Sequence, residues 1–169
     1  MTNSGRTGSR GALALVPRTV EEAVPTIWFC GHCGTRPPFG GAPAANARVC
    51  ESCGLGLLLE TLADAAPEAG GSFLVLDRSL SVCAVSRAAE KLLATSETDA
   101  VNRHVTELLA PADSEPESGA NLAAAVSAAT RGGEEALSAF VRPANLFGVR
   151  MRVRIVQCGP PQAALLTFE

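Results

Sequence analysis

Two cysteine pairs of identical spacing, Cys30-Gly-His-Cys33-Gly34 and Cys50-Glu-Ser-Cys53-Gly54, stand in this chain with sixteen residues between them. Two Cys-x-x-Cys hooks at that separation can close four thiolates around one tetrahedral ion, so Cys30, Cys33, Cys50 and Cys53 are the expected metal ligands. Four thiolates leave no open coordination position, which points to a structural centre and away from metal–water catalysis. Zinc is the expected ion; redox iron is the alternative, since a tetrahedral sulfur site accepts either. His32 lies inside the first hook, where the backbone turns away from the ion, and is expected to be exposed and not to ligate.

The elements that must position these thiols are short. Thr26-Ile-Trp-Phe leads into the first hook as an extended apolar segment, and Gly34 and Gly54 can take the positive φ that closes each turn and aims backbone amides at the sulfurs. Arg36 to Asn46 is too rich in Pro and Gly for a helix and reads as a loop. Leu55-Gly-Leu-Leu-Leu-Glu60 is the expected return strand. On these two hooks, residues of about 26–60 resemble the zinc-ribbon (rubredoxin-like) class, which implies metal binding but no particular function. Trp28, Phe29 and Phe39 are candidate docking contacts or, alternatively, the cover of a small core.

Other chemistry is sparse. There is no Ser/His/Asp set, phosphate loop, dinucleotide turn or paired-carboxylate motif, so the chain is not expected to be an enzyme. Arg150, Arg152 and Arg154 alternate with Val149, Met151, Val153 and Ile155, which predicts a strand with guanidiniums on one face, solvated and paired with carboxylates such as Glu134 and Glu135, or open to an anionic partner. The net charge of −3, with Glu21, Glu22, Glu51 and Glu60 outnumbering Arg36 and Arg48 around the hooks, does not favour nucleic acid. A regulator contacting nucleic acid through the ribbon and the tail arginines Arg6, Arg10 and Arg18 stands as the alternative. Ala12 to Val16 is too short an apolar run for a signal peptide or a membrane span, and four metal-spaced cysteines suit a reducing compartment, so a cytoplasmic location with no membrane partner is expected.

Residues 1–20 read as a disordered tail, 21–60 as the ribbon, 61–71 as a linker broken by Pro67 and Gly70-Gly71, and 72–169 as a second domain. That domain opens with a hairpin, Phe73 to Asp77 and Leu80 to Val85, followed by a helix over Ala88, Ala89, Leu92 and Leu93 with Ser86 as N-cap. Val101, Val105, Leu108 and Leu109 form a second helical face around His104, stopped by Pro111. Asp113 to Gly119 is a polar loop, and Asn121 to Thr130 a helix ended by Gly132-Gly133. Three strands follow, Ala136 to Val141, Val149 to Val156 and Ala163 to Phe168, with Gly159-Pro160-Pro161 as a turn.

The predicted fold class is α+β, a five-stranded antiparallel sheet with helices on one face following the small ribbon. On Phe73-Leu-Val-Leu-Asp-Arg-Ser-Leu-Ser-Val-Cys-Ala-Val-Ser-Arg-Ala-Ala-Glu-Lys-Leu-Leu93, residues 72–169 are similar to the PAS family. Ser86 stands where that family often has Asn, and Asn102-Arg103 replaces its usual Gly. The resemblance implies a sensory, signalling or adaptor protein that binds a small ligand, a protein partner or a second copy through the PAS-like part, with the ribbon as a docking module. It allows haem on His104, although a lone His is more often hydrogen-bonded. The Asn-Cys-Arg motif of flavin-binding relatives is absent, so flavin is not expected. Cys83, in an apolar strand, is expected to behave as a small hydrophobe. No output domain follows the last strand in this sequence, so a partner is expected to carry the signal onward.

Overall fold

The computed structural model describes residues 24–38, 41–112 and 121–169. The tail with Arg6, Arg10 and Arg18, the aromatic Phe39 and the polar loop at 113–119 lie outside the described residues.

Among the described residues eight strands form one antiparallel sheet: β1 (Thr26–Cys30), β2 (Leu58–Leu62), β3 (Phe73–Leu76), β4 (Val82–Val85), β5 (Leu109–Pro111), β6 (Leu137–Pro143), β7 (Met151–Gly159) and β8 (Ala163–Phe168). The order is β1-β2-β7-β8-β3-β4, with β6 also on β7 and β5 on β6. Five strands were expected in a sheet separate from the ribbon. The larger count arises because the hairpin carrying the cysteines joins the sheet as β1 and β2, and because β5 forms at the end of a stretch expected to be helical. Strand β7 pairs with β8 from Val153 to Cys158, with β6 from Met151 to Ile155, and with β2 through Cys158 and Gly159. Nine residues are long enough to serve β6 first and β2 afterwards, and β2 runs to Leu62, inside the stretch expected to be linker.

The helices sit where local signals place them. Ser86 caps α1 (Arg87–Leu93), its Oγ accepting from the Ala89 amide at 3.1 Å and from Phe73 N at 2.9 Å. Asn121 caps α3 (Leu122–Ala129) in the same way, and Gly132 follows its end at φ 89°. Asn102 sits at φ 67°, a left-handed conformation that Asn tolerates better than most residues. The expected second helix is instead α2 (Glu97–Ala100), a 3-10 turn over Val105–Glu107, and strand β5. Leu109 and Pro111 pair with Pro143 and Val141, so this stretch contributes to the sheet as well as to the helical layer.

Both faces of the sheet are covered. On the inner face Leu74, Leu76, Val153, Ile155 and Leu166 pack against Ala89 and Leu93 of α1 and against Leu122 and Val126 of α3. On the outer face Phe73, Val75, Val156 and Leu165 pack against Phe29, Leu59, Leu62 and Ala65 from the hairpin and the turn after it. Phe29 and Phe73, both fully buried, meet edge to face with centroids 5.7 Å apart. Thus β3 is buried along its whole length, and β8 over its first four residues.

Truncating either ring removes a fully buried aromatic. Phe29→Ala and Phe73→Ala are each expected to lose about 3–5 kcal/mol of stability in urea unfolding. The double variant should lose less than the sum, because the two rings contact each other.

Candidate metal centre

Each hook repeats one local design. Gly34 N donates to Cys30 O at 3.0 Å and Gly54 N to Cys50 O at 2.8 Å, closing the two turns. Cys30 N donates to Thr35 O at 3.0 Å and Cys50 N to Gly56 O at 2.8 Å, folding the chain back after each. Gly34 and Gly54 both have positive φ, 73° and 69°, as their place after the second cysteine requires. Gly34 has a second reason to lack a side chain, because a Cβ there would stand 2.6 Å from the Glu68 carbonyl oxygen.

The turns bring the ligand atoms of Cys30, Cys33, Cys50 and Cys53 within 4.8 Å of one another. Cys30 Sγ is 3.6 Å from Cys53 Sγ and Cys33 Sγ is 3.9 Å from Cys50 Sγ. Metal–sulfur bonds of about 2.3 Å set the edges of a tetrahedron at about 3.8 Å, so the donor set fits one ion of zinc size. None of the six cysteines is in a disulfide. Amides point at the sulfurs as the turns dictate: His32 N at 3.4 Å and Cys33 N at 3.5 Å from Cys30 Sγ, and Gly56 N at 3.5 Å from Cys53 Sγ. Such bonds favour thiolates, the form that ligates.

In the thiol set itself the two ends of one short contact are driven apart. Burial pushes the Cys30 thiol up. At Cys53 desolvation acts in the same direction but is outweighed by the amides of Gly56 and Leu55 and the thiols of Cys30 and Cys33, which bring it down to about 6. An ion would displace the thiol protons.

The surroundings hold residues that spacing did not reveal. A Cβ on Gly56 would run into Cys30 Sγ and lie 2.8 Å from the His32 amide nitrogen, so the return segment approaches the first hook at a distance that only glycine permits. Arg48 is an internal tie: its Nη2 donates to Leu58 O at 2.9 Å and to Pro160 O, and its guanidinium lies over the Trp28 ring at 5.8 Å. Trp28 packs beside Cys30, Cys50 and Leu58, while Phe29 is core, so of the described aromatic candidates neither is a free contact. His32 is buried, contrary to the expectation of an exposed residue. Its Nδ1 lies 3.0 Å from Glu97 Oε2, because the first hook faces α2 and not solvent.

The remaining candidates are dispersed. His104 caps the 3-10 turn, its ring accepting from Thr106 N, so its side chain is engaged in local structure. Arg154 pairs with Asp64 at 2.7 Å and Arg152 with Glu169 at 3.4 Å, while Arg150 stacks on Phe140 at 3.7 Å, so the arginine row is held by carboxylates and an aromatic ring. Cys83 is exposed, not packed as a small hydrophobe, because a register shift in the β3–β4 ladder leaves it without a partner opposite. Partial desolvation and the nearby Asp77 raise its pKa. Cys158 is buried under the hairpin, and burial raises its thiol to about 12.

No family model and no curated protein matches the sequence. Among solved structures the chain is similar to the PAS domain of nitrogen regulation protein NR(II) from Vibrio parahaemolyticus, at 15% identity over 58% of this chain and 86% of that one, with a TM-score of 0.43. Among the described residues no helix is long and apolar enough to cross a membrane.

Gly56→Ala is expected to lose bound metal although all four cysteines remain, whereas Gly41→Ala, where a Cβ would meet nothing, keeps it; metal analysis of the purified variants checks this. A raised thiol pKa means less thiolate at pH 8. Iodoacetamide should therefore label Cys83 slowly and leave Cys158 unlabelled in the folded chain, as read by peptide mass spectrometry.

Proposed function

We propose that this chain is a cytoplasmic signalling or adaptor module in which a structural zinc ion staples the cysteine hairpin onto a PAS-like sheet. The observation that carries this reading is the convergence of four thiols, from two turns of the same design, on one closed tetrahedral site at the end of a hairpin that is itself part of the sheet. A closed site offers no position for substrate or activated water, which supports a non-catalytic role. When bound, the ion supplies a cross-link between the two turns; the chain's own amides, Gly34, Gly54 and Gly56 shape the cage.

The order of hairpin, short helices and three strands, folded around a common inner core, supports the sensory or adaptor assignment for residues 72–169. The surface near the second hook supports docking to a protein. Leu55, Leu57 and Val49 are 67%, 52% and 51% exposed there, beside a groove of about 510 Å³ lined by Pro37, Pro38, Val49 and Leu58. With Arg48 tied into the fold, little cationic surface is left there for phosphate, which favours a protein over nucleic acid.

Purified full-length protein is expected to be colourless and to carry one zinc per chain by elemental analysis and native mass spectrometry, and Cys50→Ser to lose it. Visible absorbance with bound iron, or full stability with no metal at all, would overturn the assignment.

A further inference from the structure

The first hook is wired into the helical segment that follows β4. His32, between two of the four thiols, uses two separate groups for this. Its carbonyl oxygen accepts from Arg87 N, the first residue of α1, at 3.1 Å, and its Nδ1 lies 3.0 Å from Glu97 Oε2 at the start of α2. Glu97 passes the contact on. Its Oε1 accepts from Val85 N at 3.4 Å, and its own amide donates to Glu90 Oε1 in α1 at 2.7 Å. His32 of the metal loop thus meets the start of α1 through its carbonyl and the start of α2 through its imidazole, and Glu97 relays the second contact to the end of β4 and to Glu90 within α1.

The contact is enclosed by other evidence of close fit. A Cβ on Gly31 would meet Leu59 Cδ1, Leu57 O and Ala84 Cβ at 3.4, 3.5 and 3.7 Å, ordinary contact distances that place the hook between the hairpin and β4, and Cys33 O accepts from Gly70 N at 3.1 Å. Helices α1 and α2 have seven and four residues. Helices this short hold their shape through capping and tertiary contacts, not through their own propensity.

We propose that His32 and Glu97 transmit the metal state of the four-cysteine site to the α1–α2 segment, so that gain or loss of the ion is the signal and residues 84–100 are the element that responds. This rests on the metal-site reading above. With the ion in place, Cys30 and Cys33 are fixed to the second hook and His32 between them has one position. Without it, the cross-link to the second hook is lost and the loop is held by hydrogen bonds only, so the acceptor for Arg87 N and the partner of Glu97 are loosened together.

Hydrogen–deuterium exchange of the full chain, with zinc loaded and with zinc stripped by a chelator under reducing conditions, tests this when run on wild type and His32→Ala. In wild type, stripping should raise exchange across residues 84–100 by at least roughly tenfold, the size of one lost charge-assisted hydrogen bond, since two contacts are loosened together. In His32→Ala that still holds one zinc per chain, the imidazole contact with Glu97 is gone but the carbonyl that accepts from Arg87 N remains, so residues 84–100 should already exchange faster than wild type when loaded and should change clearly less than wild type on stripping, while residues 26–62 still respond to zinc. A purely structural His32 would give the opposite: the variant would keep a metal-dependent change of wild-type size, which overturns the proposal. If stripping unfolds the whole chain, the loaded His32→Ala protein decides, because normal protection at 84–100 in that sample also overturns it. A wild-type chain that binds no zinc removes the metal-site reading and this one with it, whereas one zinc per chain with no response at 84–100 removes this one alone.

Discussion

Strands β3 and β8 are apolar on both sides, and everything outside the inner core follows from that. Phe73-Leu-Val-Leu and Ala163-Ala-Leu-Leu cannot present one face to water, so the sheet needs a second layer opposite its helices. Among the described residues, α1 and α3 already pack on the inner face. The cysteine hairpin provides the layer instead, contributing Phe29, Leu59, Leu62 and Ala65. Two paired five-residue strands are marginal on their own. This hairpin is paired with β7 at one end and brings four thiols together at the other, and the Phe29–Phe73 contact lies between the two.

What could be read from the chain beforehand was what local chemistry announces. The doubled Cys-x-x-Cys-Gly spacing identified four residues that do converge, and Ser86 and Asn121 declared themselves as caps because an N-cap is decided within three residues. The strands after Leu137 were visible within a few residues of their ends. Long-range pairing left no such mark. Nothing in Leu58 to Leu62 says that Glu60 will face Gly159 almost a hundred residues later, so a ribbon apart from a five-stranded sheet was the natural expectation. One signal was present: the unbroken apolar run at Phe73 to Leu76 reads as two-sided burial, which helices on one face alone do not satisfy. Gly56 and His32 were hidden for a different reason, since their importance comes from what approaches them in space and not from their neighbours in sequence.

The charged residues show how little can be inferred from position along a strand. Alternation placed Arg150, Arg152 and Arg154 together, yet Asp64, which answers Arg154, comes from the turn after the hairpin, and Glu169, which answers Arg152, is the last residue of the chain. Both pairs are partly or largely exposed and contribute no more than about 1 kcal/mol each. Their effect is directional: Arg154, through Asp64, ties the segment after β2 to the sheet on the side the hairpin covers.

Ion binding in a closed thiolate site is worth about 10–16 kcal/mol in small zinc-dependent folds, comparable to the whole stability of an ordinary domain. In a free-standing ribbon that energy folds the ribbon and goes no further. Here β2 is a strand of the main sheet, the hairpin's apolar side is the cover of β3 and β8, and the first hook carries the partner of Glu97. Energy gained when an ion binds the thiols would therefore be shared with elements more than sixty residues further along the chain. The thiols that look like a small separate centre in the sequence are, in the folded chain, one boundary condition on the whole sheet.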